Sequence, residues 1–476
     1  VRRAPAPRHR QRGAALLLLL TALIFGGAIL AARLFTNHDP VSARTRAQAA
    51  ALAAAREALL GYATLDDPAR PGELGFLPCP DSDASGGFAE GEAHASACGA
   101  RYRTVQGRLP WRTLGLAPRD GGTECLWYAV SGSHKAATTT RAELLNPDSN
   151  GQLRVVDATT GLTVAGVNPA DRVVAVIIAP GPPLAGQVRA LAGGGATARC
   201  GGSYAAAAYL EALPALGAGN VALAGLADAV TTALAGAPAR TDANDQVVYI
   251  TRAELAARIA RRADLPASLD GLANAVARCL ADHARRNPGG ASDHRLPWPA
   301  PVTLPDYRAA GSYDDVPLGA LSGRVPDRVN DSNLRTGNPV ARVLTNCDPV
   351  AVPEWTATRR ALWAHWKDHL FYAVARDFRP DAAPTASCGT CLRVNGSGAY
   401  AAVLLFAGPR LAALGQRRDA PPDPDTRGDL ASYLEGRNAA NHPNATGNAD
   451  YESGAATTVF NDRLTCIRPT LEVLPC

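Results

Sequence analysis

Methionine is missing from all 476 residues. Val1 therefore reads as a start at a non-ATG codon, and the chain as an unprocessed precursor. Acidic residues are missing from the first twelve positions, which carry Arg2, Arg3, Arg8, Arg10 and Arg12. Those five account for the whole charge excess, because 48 Lys and Arg stand against 43 Asp and Glu. The body is balanced, which excludes a broad phosphate-binding surface, and no nucleic-acid partner is expected. No glycine-rich phosphate loop follows a strand; the glycines at 193–195 precede Ala-Thr-Ala-Arg-Cys and read as a loop. No Gly-x-Ser-x-Gly elbow and no nucleophile–base set is legible, so no catalytic residue is expected and the chain does not read as an enzyme.

What is present is a globular composition, 47% hydrophobic with 5% aromatic residues. The length suits two or a few domains, and abundant alanine, glycine and proline favour long loops between modest cores. Residues 14–34 are apolar except for Thr21 and Arg33. At 1.5 Å per residue, about 20 residues cross a hydrocarbon core of roughly 30 Å. The arginines before the run hold that end in the cytoplasm, so a single-pass inner-membrane protein is expected, with its C-terminal head in the periplasm. A cleaved signal peptide would have a shorter apolar core. Beyond Asp39-Pro40, residues 43–63 form a strong helical pattern, so one long helix is expected, apolar first and amphipathic second.

Arg10-Gln11-Arg12-Gly13 followed by the apolar run resembles the class III leader of type IV pilins and type II secretion pseudopilins. The resemblance implies cleavage by a prepilin peptidase after Gly13 and methylation of Ala14. The family's glutamate at the fifth mature position is Leu18 here. That departure, with the large head, points to a rare subunit at or near a filament tip.

The body echoes itself. "RVVAVIIAPGPPLAGQVR" (172–189) resembles "YAAVLLFAGPRLAALGQRR" (400–418), "LWYAV" (126–130) matches "LFYAV" (370–374), and "YLE" recurs at 209–211 and 433–435. "NDQVVYI" (244–250) matches "NDRLTCI" (461–467), "LPCP" (77–80) matches "LPWP" (296–299), and "GRLP" (107–110) matches "GRVP" (323–326). "AREALLGYA" (55–63) has its counterpart in "VARCLADHA" (276–284). The collinear order reads as a duplication. The expected fold is α+β: a transmembrane helix continuing into a pilin-like head, each unit a helix packed on an antiparallel sheet. The expected divisions are a leader at 1–13, the span at 14–34, unit one at 35–251, a linker at 252–267 and unit two at 268–476. An extra helix is expected at 219–236, and a short helix opens unit two at 268–286.

Residues 81–92 fit a calcium loop, with Asp81, Asp83, Ser85 and Glu92 as ligands and a carbonyl near Gly87. Ca²⁺ is the one cofactor expected. The pair Cys388 and Cys391 in "CGTC" could act as a redox dithiol, but it precedes a strand, which favours a structural disulfide. His365 and His369, with those cysteines, make a conceivable zinc set, against one polar face of a helix that carries Trp363 and Trp366 inward. The middle residues of "HWKDH" lack a protease glutamate.

Ten cysteines behind a targeting segment imply disulfides in an oxidising compartment. Given the duplication, they should pair with sequence neighbours: Cys79–Cys98, Cys125–Cys200, Cys279–Cys347, Cys388–Cys391 and Cys466–Cys476. The last staples the C-terminus, as resembling pilins do. The expected function is that of a minor pilin-like subunit of a type IV pilus or type II secretion pseudopilus, acting by binding and assembly with other such subunits, on the filament or cell surface. The alternatives are a signal-anchored periplasmic binding module and a membrane-anchored thiol oxidoreductase using Cys388 and Cys391.

Overall fold

The computed structural model describes residues 40–476 apart from 66–73, 83–88, 120–123, 138–141, 190–198, 201, 237–239, 287–293, 317–320, 330–342, 345–346, 384 and 443–445. The first helix, α1 (Pro40–Thr64), starts on a proline, whose fixed φ suits a first helical position. It buries Leu52, Ala55, Leu59, Leu60 and Ala63 at helical spacing. These side chains pack on two strands of the first sheet.

That sheet is built from β1 (Val105–Arg108), β2 (Trp127–Val130), β3 (Leu153–Asp157), β4 (Thr163–Ala165) and β5 (Val173–Ala179). A small hairpin follows, β6 (Ala212–Leu213) with β7 (Ala218–Gly219), then β8 (Thr231–Ala235) and β9 (Gln246–Thr251). The sheet order is β1-β2-β5-β3-β4, with β9 on β5 and β8 parallel to β3. Every residue of β5 is buried, as expected for a central apolar strand covered on both faces.

The chain then forms α2 (Arg252–Ala260) and α3 (Leu265–Arg286). Thr251 caps α2 by accepting from the Glu254 amide at 3.2 Å. The second sheet comprises β10 (Ser322–Arg324), β11 (Leu370–Val374), β14 (Ala402–Phe406), β16 (Arg463–Ile467) and β17 (Val473–Pro475), in that order. Between them come α4 (Ala357–Trp366), β12 (Leu392–Val394), β13 (Ser397–Tyr400), α5 (Gly436–Asn441) and β15 (Asp450–Tyr451). Leu269, Leu272, Val276 and Leu280 of α3 are buried, and the helix packs on β14, β16 and β17.

The succession β1-β2-β5-β9 recurs as β10-β11-β14-β16, and the register recurs with it. Gly107 faces Tyr128 as Gly323 faces Tyr372; Arg108 faces Trp127 as Arg324 faces Phe371. Both glycines are required by a close approach. A Cβ on Gly107 would meet the Asp81 carbonyl at 2.5 Å, and one on Gly323 would meet the Ala300 carbonyl at 2.0 Å. The residue after each Leu-Pro-x-Pro segment, Asp81 or Ala300, forms an antiparallel bridge there with Arg108 or Arg324. One apolar core runs from Leu52 to Leu471 through both halves.

Four readings are revised. The fold is mixed α/β with several sheets, and two strand pairs, β3–β8 and β12–β15, are parallel, against the expected antiparallel pilin-like head. Among the described residues no helix is long and apolar enough to cross a membrane, which stands against the single-pass inner-membrane placement. α1 has 25 residues, but Arg44, Arg46, Arg56 and Glu57 interrupt its apolar character. Residues 1–39, with Gly13, Ala14, Leu18 and the 14–34 run, lie outside the described residues. The helix expected at 219–236 is instead irregular chain leading into β8, because pairing with β3 overrides helical propensity. The stretch read as a linker, 252–267, contains α2, which buries Leu255 and Ile259.

Candidate functional site

The repeated tripeptides and dipeptides meet in three dimensions as two copies of one polar network. In the first half, Glu211 accepts from the Asn244 and Asp245 amides, both at 3.0 Å, and from Gln187 Nε2 at 3.0 Å. Asp245 accepts from the Glu211 amide at 3.1 Å and from Asn220 at 3.0 Å. In the second half, Glu435 accepts from the Asn461 and Asp462 amides at 2.9 and 3.1 Å and from Gln416 at 2.8 Å. Asp462 accepts from the Glu435 amide at 3.0 Å and from Asn438 at 2.9 Å. Burial, then the neighbouring glutamate, pushes the Asp462 carboxyl up to about 8 and the Asp245 carboxyl well above its usual range.

Arg189 and Arg418 complete the copies. Arg189 donates to the carbonyls of Gly181, Ala208 and Tyr209 and to Gln187 Oε1. Arg418 donates to those of Gly408, Ser432 and Tyr433 and to Gln416 Oε1. Both are short bridges that tie a strand end to a loop. Their outer partners differ. Arg189 pairs with Glu124 of its own half at 3.2 Å, whereas Arg418 reaches across to Asp148 of the first half at 3.2 Å.

Between the halves lies a cleft with a volume of about 680 Å³. One wall is the alanine face of α2, with Ala253, Ala256, Ala257 and Ala260, continued by Leu265 and Leu269 of α3. The other carries Trp366, Phe406 and Pro409. Polar groups gather at one end around Asp148. Its carboxylate lies 2.7 Å from Arg410 Nε, 3.2 Å from Arg418 Nη1 and 3.2 Å from His369 Nε2. Burial alone would raise the acid, but Arg418, then His369 and Arg410, hold it well below the usual carboxylate range. At the far end Asp462, Arg463 and Gly454 are shared with an adjoining hollow of about 550 Å³. A cleft of this size, carbon-walled with a few convergent polar groups, has the form of a small-molecule site.

The five disulfides join Cys79–Cys98, Cys125–Cys200, Cys279–Cys347, Cys388–Cys391 and Cys466–Cys476, as read from the sequence. None lines the cleft. Cys388–Cys391 sits in a turn before β12, where Asp377 accepts from the Gly389 and Thr390 amides at 2.7 and 2.8 Å. A carboxylate there opposes a thiolate. His365 accepts from the Leu145 amide at 3.2 Å, while His369 Nδ1 lies 3.0 Å from the Ala407 carbonyl. The two histidines and the bonded cysteines are therefore not brought together as a ligand set.

Of the expected calcium ligands, Asp83 and Ser85 lie outside the described residues. Asp81 accepts from the Gly91 amide at 2.9 Å and from Tyr204 at 3.2 Å, and burial pushes it up to about 6. Glu92 accepts from the Ala89 amide at 3.3 Å and lies 3.4 Å from Arg112. Among the described residues no group of three His, Cys, Asp or Glu is placed to hold a metal.

Sequence reasoning did not single out Asp148, Arg252 or Arg410. Arg418 stands in the Gly-Gln-x-Arg echo, so a signal for it existed. Asp148 left none, because its partners come from more than 200 residues away. No family model, curated protein or solved structure matches this chain.

Proposed function

We propose that this protein acts by binding, and that the cleft between its halves is the ligand seat. The observation that carries this reading is the cleft itself: about 680 Å³, walled by small apolar side chains and floored at one end by a fixed cluster of charges. The cluster is held by backbone carbonyls and cross-half pairs, so it is pre-organised and costs little ordering on binding. The disulfides fit work in an oxidising environment. A neutral apolar fluorophore, N-phenyl-1-naphthylamine, should bind the wild-type protein with one-to-one stoichiometry. Ala257→Trp places a bulky ring on an exposed position of the cleft wall and leaves the core untouched. It should cut that affinity about tenfold or more, the loss expected when an apolar seat of one ring is filled. Equal binding by both proteins would sink the reading.

A second reading, assembly as a minor subunit of a type IV pilus or type II secretion pseudopilus, is favoured by α1. That helix lies along a sheet through one face, while residues of its first turns, such as Thr45 and Arg46, are exposed. In the resembling family the corresponding helix carries assembly. Co-expression with a prepilin peptidase, followed by N-terminal sequencing, tests it. A mature chain beginning at Ala14 supports the reading, and an intact Arg10–Gly13 stretch removes it.

A further inference from the structure

The charges around Asp148, beside the cleft, do not balance. Arg410 lies 2.7 Å from Asp148 and 3.7 Å from Asp419, Arg418 lies 3.2 Å from Asp148, and Arg417 lies 3.0 Å from Asp419. His369 shares Asp148 as well. Arg252 adds a fourth guanidinium and is only 3% exposed. It donates to the Asp148 carbonyl at 3.2 Å and to Asn150 Oδ1. Asn150 in turn donates to Asp423, which Arg172 already holds at 2.8 Å. Among the described residues Arg252 has no carboxylate partner, and its Nε has no hydrogen-bond partner. Arg417 is itself exposed, so three buried or part-buried guanidiniums, Arg410, Arg418 and Arg252, face the two carboxylates Asp148 and Asp419. A buried cation without a counter-charge is costly, so this end of the cleft is built to receive an anion.

The walls restrict what the anion is attached to. The first amides of α2 are taken by the Arg172 carbonyl and the Thr251 hydroxyl, and the backbone of β16 pairs with β14 and β17. A peptide lying in the cleft would bring one N–H and one carbonyl per residue, each needing a partner when buried. The alanine face of α2, Leu265, Leu269 and Phe406 offer carbon. An aliphatic chain, polar at one end only, matches both the walls and the charge.

We propose that the ligand is a long-chain carboxylate, its head between Arg252 and Arg410 and its chain along the alanine face of α2. This rests on the reading of the cleft as a ligand seat. The head pairs with the Arg252 and Arg410 side chains that line the cleft and completes the charge balance, as paired and hydrogen-bonded ions do.

Competition against N-phenyl-1-naphthylamine tests the proposal with dodecanoate, dodecan-1-ol, dodecyltrimethylammonium and a tetrapeptide amide of leucine and phenylalanine. Dodecanoate should bind about tenfold or more tighter than the alcohol, the worth of one charge-assisted hydrogen bond. Dodecyltrimethylammonium should bind more weakly than either. Arg410→Gln, at a part-exposed position, should erase most of the preference for dodecanoate over dodecan-1-ol, a ratio taken within the one variant. Arg252→Gln should do the same. If it fails to fold, Arg410→Gln still decides the matter. Equal affinity for acid and alcohol, or tighter binding of the cation or the peptide amide, would overturn the ligand class while the seat stands. Fluorophore binding that Ala257→Trp does not weaken would instead overturn the seat.

Discussion

Asp462 shows how much a single residue can say about both halves. Its folded carboxyl titrates at about 8 against an ordinary 3.8, because burial and Glu435 disfavour its charge, and the protonated acid donates to that glutamate. Across that window the folded state keeps a proton the unfolded chain has lost, so stability falls as pH rises. Asp462→Asn mimics the protonated acid and removes the dependence. At pH 8 the variant should melt at or above the wild type, by up to about 1–3 kcal/mol, the cost of a buried polar group in its wrong state. Thermal melts of both proteins at pH 5 and 8 check this, and a difference between variant and wild type that does not shift in the variant's favour from pH 5 to pH 8 contradicts it. Asp245→Asn should behave alike in the first half, where the same bonds recur.

The buried imidazoles act with the opposite sign. Burial holds His442 down at about 4 and His134 at about 3, and burial with Arg286 holds His283 at about 4. Their folded values lie below the unfolded one of 6.5, so the unfolded state gains protons first as pH falls. Their contribution is whole above that value and is lost below it, at up to about 1.4 kcal/mol per pH unit for each group. His442→Gln keeps a donor for the Gly323 carbonyl, which His442 Nε2 meets at 2.8 Å. Its urea midpoint should fall less than that of the wild type between pH 6.5 and 4.5. An unchanged slope would remove His442 from the account.

At the scale of elements, periodicity made α1 and α3 legible, because each buries one stripe and exposes the other. The strands β2, β5, β11 and β14 fall within the echoed apolar passages of the sequence. The region 219–236 was not legible, because its alanine and valine pattern suits a helix and only the distant β3 makes a strand of it. Neighbour pairing of cysteines was legible, since each bond closes within one half. The bonds should differ in worth. Cys279–Cys347 closes 68 residues and Cys388–Cys391 only 3. In the chain-entropy model the first is worth roughly 4 kcal/mol and the second roughly 1–2 kcal/mol. Chemical denaturation of the two double Cys→Ala variants measures this, and equal losses would contradict it.

For the whole molecule, the two halves share a strand order and a buried network but use it differently. The first half keeps Arg189 to itself, paired with Glu124. The second sends Arg418 across to Asp148, and the loop 146–150 enters the second half, where Asn146 donates to Asp368 at 2.9 Å and to the His365 carbonyl at 3.0 Å. The repeated motifs showed in the sequence because the network needs the same side chains twice. The cleft did not show, because Asp148, Arg252 and Arg410 belong to three separate stretches that only folding joins. The central claim is that this junction is where the protein binds. Hydrogen–deuterium exchange of the full chain, with and without dodecanoate, tests it most directly. The account predicts slowed exchange in residues 252–260 and 406–410, with the rest of both sheets unchanged. Protection confined to other segments, or none at saturating ligand, would contradict it.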